Sequence, residues 1–179
     1  MKHSSASPSH VHPAPAKRWL DYLPLLTLLG VTALAAAAKN QAYGPDTGAL
    51  RHWMHDFMGF FLVIFALLKL FDLPAFADGF QKYDLLAKPF RTYALVYPFI
   101  ELALGLGYLA DWRPALLYPA TVLVLCFGAL GVIRSLAQGR DLKCACMGNI
   151  LKVPLSIVAL TEDLGMAAMA AVMWARLSP

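Results

Sequence analysis

Ala115-Leu-Leu-Tyr-Pro-Ala-Thr-Val-Leu-Val-Leu-Cys-Phe-Gly-Ala-Leu-Gly-Val-Ile-Arg-Ser-Leu-Ala137 decides the fold. Arg134 is its sole charge, and the run is long enough for a helix to cross roughly 30 Å of hydrocarbon. Four further blocks have this character: Leu20 to Ala38, Trp53 to Phe71, Tyr93 to Ala110 and Pro154 to Leu177. Of the 179 residues 59% are hydrophobic and 15% charged, and the mean hydropathy is +0.58. A soluble domain of this size cannot hide so much apolar surface in one core. The expected fold is all-α: a polytopic membrane bundle of four to five transmembrane helices plus an interfacial amphipathic helix.

Pro114 and Pro154 stand where the fourth and fifth helices begin, since the first helical N–H groups need no intrahelical partner. Between the second and third blocks, Leu73, Phe76, Phe80, Tyr83 and Ala87 recur at helical spacing opposite Asp78, Gln81, Lys82, Asp84 and Lys88. That pattern suits a helix lying in the membrane interface or one covering the end of the bundle. Residues 1–18 are rich in Ser, His, Pro and Ala and read as a disordered tail ahead of a transmembrane domain at 19–179. A cleaved signal peptide is the other reading of the first block, because Ala36, Ala37 and Ala38 offer small residues for a peptidase.

The net charge of +4 does not point to nucleic acid, because the 15 Lys and Arg are scattered between apolar blocks. They carry orientation instead. With the N-terminus cytoplasmic, Lys2, Lys17, Arg18, Lys69, Lys82, Lys88, Arg91, Arg134, Arg140, Lys143 and Lys152 fall inside. Lys39, Arg51, Arg113 and Arg176 then fall outside. The excess inside predicts an inner-membrane, multi-pass chain with its N-terminus cytoplasmic and its C-terminus outside.

The densest chemistry is Lys143-Cys144-Ala-Cys146-Met147-Gly148, in the connection between the fourth and fifth blocks. Cysteines two apart can close a small, strained and readily reduced ring, or point both sulfurs at one metal. Arg140, Lys143 and Lys152 favour the thiolate over the thiol. Zinc would want four ligands, whereas copper(I) or mercury accepts two thiolates. Cys144 and Cys146 are therefore candidate redox residues, with metal binding as the alternative.

Cys126 falls about 12 Å into the fourth block, counted from Arg134 at 1.5 Å per residue. Glu101, Glu162 and Asp163 fall at a similar depth in their own blocks. Ionisable groups in hydrocarbon usually face the bundle interior, which makes this layer a candidate for proton handling or for guiding a cation. Interhelical hydrogen bonding is the plainer reading of Glu101 and Glu162, and packing that of Cys126. At the start of the second block, His52 and His55 are three apart and could bind metal or sense pH, while Asp56 reads as a helix cap. No phosphate loop or hydrolase triad is visible. No organic cofactor is implied, and the participation of a quinone stays open.

The sequence resembles the MauE/DoxX family of redox-associated membrane proteins. The likeness lies in Phe65-Ala-Leu-Leu-Lys-Leu-Phe-Asp-Leu-Pro-Ala-Phe76, Tyr83-Asp-Leu-Leu-Ala87, Tyr97-Pro-Phe-Ile-Glu-Leu-Ala-Leu-Gly105 and Cys144-Ala-Cys-Met-Gly148, followed by Pro154 and Glu162-Asp163. It covers about Arg51 to Trp174. The resemblance implies a small helical membrane bundle. In the MauE branch it implies maturation of the disulfide-rich small subunit of methylamine dehydrogenase. Cys144 and Cys146 match the family's cysteine motif, Glu101 its Tyr-Pro-x-x-Glu segment, and Glu162 with Asp163 its acidic pair. A thioredoxin- or glutaredoxin-like protein is the partner this suggests. Since no cysteine is placed on the outer side, a periplasmic substrate would require the loop to reach inward or the bundle to rearrange.

Overall fold

The computed structural model describes residues 22–43, 48–138 and 155–177, and in the last segment the side chains from residue 160 onward. These residues form six α-helices: α1 Leu23–Asn40, α2 Ala49–Phe71, α3 Leu73–Phe80, α4 Arg91–Leu109, α5 Pro114–Ala137 and α6 Leu155–Ala175. α1, α2, α4 and α5 are long and apolar enough to cross a membrane, and α6, with 21 residues, matches them in length. The expected architecture is met.

Local sequence explains the boundaries. Pro114 opens α5, and Pro24 and Pro74 lie in the first turns of α1 and α3, where a missing N–H costs nothing. Asp72 caps α3, its side chain accepting from the Ala75 N–H at 3.2 Å. The turn between α4 and α5 holds Asp111 and Arg113 at positive φ, 50° and 41°.

Two helix pairs carry the bundle: α2 packs along α4, and α5 along α6, with α1 against α2. α2 and α4 approach closely at Gly105. A Cβ there would lie 2.8 Å from the Val63 backbone nitrogen and 3.1 Å from the Gly59 carbonyl oxygen, so only glycine fits without displacement. Met58, Leu62, Leu104 and Leu125 fill the middle of the bundle. Many of the remaining large apolar side chains point outward, Leu34, Leu123 and Leu130 among them, as lipid-facing helices require.

The amphipathic segment departs from a single interfacial helix. It is helical only from Leu73 to Phe80 and continues as turns to about residue 89. Phe76, Phe80, Tyr83 and Ala87 are buried and pack with Ala94, Tyr97 and Val132 of α4 and α5. The segment thus covers the end of the bundle. Asp84 fixes its second half by accepting the N–H groups of Leu86 and Ala87 at 2.9 and 2.8 Å. Gly131 of α5 admits it closely, since a Cβ there would lie 3.1 Å from the Asp84 Cα. Burial pushes the Asp84 carboxyl above its ordinary pKa, while those N–H donors pull the other way.

Candidate functional site

Residues Met58, Phe61, Leu62, Phe65, Ala66 and Lys69 of α2 are buried, and their spacing at three and four is that of one helix face. Lys69 ends that face. Its ammonium donates to Glu101 Oε2 of α4, and both side chains are buried. The same ammonium lies 5.2 Å from the centre of the Tyr97 ring and 5.7 Å from that of Phe76. Ion pairing and ring quadrupoles together offset part of the cost of taking a lysine out of water.

Glu162 and Asp163 of α6 come to the same place. Lys69, Glu101, Glu162, Asp163, Tyr97 and Phe76 line one cavity of about 40 Å³, room for a few waters. Gly128 of α5 keeps its wall thin. A Cβ there would lie 3.4 Å from Asp163 Oδ2 and 3.6 Å from the Tyr97 hydroxyl oxygen, in ordinary contact with both polar groups. The cavity belongs to the bundle end where α2 and α5 finish and α4 and α6 begin. The segment at 139–154 is joined to the bundle at this same end.

Three of the residues singled out at a common depth, Glu101, Glu162 and Asp163, are therefore neighbours. Cys126 is not among the cavity residues; it is half-buried and packs against the apolar core, where its sulfur serves as a small hydrophobe. Lys143, Cys144 and Cys146 lie outside the described residues. Lys69 is the cavity residue that sequence reasoning did not single out, because it entered only as one of the basic residues that set orientation. The signal that finds it is its place four residues after Phe65 and eight after Phe61, on the buried stripe.

A second polar group occupies the opposite end. His55 is buried, with Nδ1 2.9 Å from the Tyr118 hydroxyl and Nε2 2.8 Å from the Tyr108 carbonyl and 3.0 Å from Asp111 Oδ1. Nε2 faces two acceptors and so carries the hydrogen; Nδ1 accepts from Tyr118. His52 turns away from His55 and stacks on Tyr43 at 4.6 Å, yet both histidines, with Arg51, Asp111 and Tyr118, border a cavity of about 110 Å³. Asp56 is not a helix cap. It lies in the second turn of α2, fully buried, and Lys39 of α1 donates to its Oδ1 at 2.7 Å. The reason is that α2 begins at Ala49, earlier than the apolar run, so Asp56 faces α1 instead of the helix terminus. Among the described residues no three His, Cys, Asp or Glu side chains come together as a metal site.

Among known families, the model of the one described as methylamine utilisation protein MauE fits residues 47–176. No curated protein and no solved structure matches the chain.

Proposed function

Because the chain belongs to the MauE family, we propose that it is an inner-membrane thiol-disulfide factor in protein maturation, acting through Cys144 and Cys146 with a thioredoxin- or glutaredoxin-like partner. The reading is carried by one observation: the family match spans the segment holding both cysteines, and that segment joins the bundle at the end where the cavity of ionisable side chains lies. Methylamine dehydrogenase small-subunit maturation is the family's precedent for the substrate class.

The exchange balances as follows. The Cys144 thiolate attacks the partner's disulfide; a bond forms between Cys144 and one partner sulfur, and the other partner sulfur leaves as thiolate. The Cys146 thiolate then attacks Cys144, closing the intramolecular disulfide and releasing the second partner sulfur. Two electrons pass to the partner, whose two thiolates take up protons. The reverse sequence reduces the pair. Lys143, beside Cys144 in sequence, favours the anionic sulfur. Glu101, Glu162 and Asp163, which line the cavity near that end, are its supporting or proton-handling residues. With the N-terminus cytoplasmic, the cysteine loop faces the cytoplasm.

Trapping tests this. Cys146→Ser prevents resolution, so membranes from that variant should accumulate a mixed disulfide between Cys144 and the partner. The double variant Cys144→Ser, Cys146→Ser should accumulate none. Absence of an adduct in the single variant, under conditions where the pair's redox state is constant in the parent, overturns the proposal.

A further inference from the structure

The cavity of about 110 Å³ lies at the end of the bundle where α2 and α5 begin and α4 and α6 finish. Its charged lining residues, Arg51 and Asp111, carry opposite signs. Both are within reach of a ligand, since Arg51 is exposed and the Asp111 side chain is 62% exposed. His55 gives Asp111 its place: its buried ring lies through Nε2 3.0 Å from Asp111 Oδ1 and 2.8 Å from the Tyr108 carbonyl. Asp111 is kept at a φ of 50°, which a non-glycine residue seldom adopts unaided, so tertiary contacts hold its carboxylate at the cavity. A plain anion entering there meets Asp111, and a plain cation meets Arg51. A ligand bearing both charges gains from each.

The surroundings narrow the class of ligand. Trp112 and Trp174 stand at this same end, 58% and 45% exposed, and tryptophans so placed mark the level of lipid headgroups. Pro114 and Leu177 give the cavity an apolar margin. Leu50 and Leu116, in the first turns of α2 and α5, are exposed and offer apolar flanks for acyl chains beside it.

We propose that this cavity binds the headgroup of a zwitterionic aminophospholipid, with Arg51 and His52 taking the phosphate and Asp111 the ammonium. A guanidinium matches two phosphate oxygens at once, and a neutral imidazole adds one N–H donor. The headgroup ammonium donates to a carboxylate that His55 already orients. Phosphate and ammonium in such a lipid are joined by a short linker, which suits opposite charges bordering one small cavity. The site is independent of the thiol reading, because it lies at the end of the bundle opposite the one that the cysteine segment joins.

The experiment titrates the full-length protein, in a non-ionic detergent, with phosphatidylethanolamine or with phosphatidylglycerol of the same acyl chains, and counts lipid adducts by native mass spectrometry. The parent should bind phosphatidylethanolamine about tenfold more tightly, the gain of one charge-assisted hydrogen bond. Arg51→Gln should weaken both lipids by about tenfold, through loss of the phosphate contact. Asp111→Asn should abolish the preference for the amine; asparagine tolerates positive φ, so the turn survives, and a general loosening would weaken both lipids alike without moving their ratio. Arg176→Gln, exposed at the same end but outside the cavity lining, should change neither lipid. Equal binding of the two lipids by the parent, a preference that persists in Asp111→Asn, or losses in Arg176→Gln as large as those in Arg51→Gln overturns the inference. Glycerophosphoethanolamine, the same headgroup without acyl chains, should neither bind nor displace the lipid at equal concentration. If it does either as well as the lipid itself, the ligand is a soluble zwitterion and the lipid assignment is overturned.

Discussion

Replacing Lys69 with Met keeps most of the side-chain volume and the aliphatic stem but removes the ammonium. The ion pair is buried on both sides, with 7% and 5% of the side chains exposed, so solvent screens it little. Removing one member of such a pair typically costs about 3–5 kcal/mol, because the remaining charge stays in a low-dielectric site. Loss of the contacts with Phe76 and Tyr97 adds to this. The second single variant, Glu101→Leu, strands the ammonium and should cost about the same. The double variant Lys69→Met, Glu101→Leu leaves no charge behind and should lie within about 1 kcal/mol of the parent, because apolar replacements of buried ion pairs are often neutral or better. Reversible unfolding of the protein in micelles by a denaturing detergent measures all four, and the cycle should give a coupling energy of at least about 5 kcal/mol. If the double variant instead loses the sum of the two singles to within about 0.5 kcal/mol, the residues are independent and the site is wrongly described.

Gly105→Ala should destabilise by about 1–3 kcal/mol in the same assay, through the 2.8 Å approach of its new Cβ to the Val63 backbone. Gly30→Ala, which meets nothing within 4 Å, should be neutral or stabilising by up to about 1 kcal/mol from helix propensity. Tyr118→Phe leaves His55 Nδ1 buried without a donor and should cost about 1–3 kcal/mol, read as a lower unfolding midpoint. For Asp84 the folded-state pKa is raised above 3.8, so the folded protein binds more protons than the unfolded chain in the window above that value. Its contribution is therefore most favourable at low pH and is lost as pH rises through the folded value; Asp84→Asn should flatten that part of the stability profile.

Much of the architecture was legible because bilayer thickness imposes a length on apolar runs. The quoted fourth block, Ala115 to Ala137, differs from α5 by one residue at its start. The first block missed by more: Leu20 to Ala38 became Leu23–Asn40, since Pro24 suits a first turn and Lys39 is drawn to Asp56. The amphipathic segment misled in length, because its helical periodicity runs on to Ala87 while Asp84 binds the backbone locally and ends regular helix. Within the site, the common depth of Glu101, Glu162 and Asp163 followed from counting residues at 1.5 Å each. Counting depth does not give direction around the helix, and Cys126, at equal depth, packs into the core instead. Lys69 and His55 needed tertiary structure: each looks like a terminal polar residue until its partner, Glu101 or Tyr118, arrives from another helix.

The account stands most directly on the redox state of Cys144 and Cys146 in intact cells. Differential alkylation with membrane-permeant and impermeant reagents, read by mass spectrometry, should find both dithiol and disulfide populated. Their ratio should shift when cytoplasmic thioredoxin-like reductants are removed, and in sealed cells the thiols should be reachable only by the permeant reagent. A pair held in one state under every condition, or labelled from outside, would contradict it.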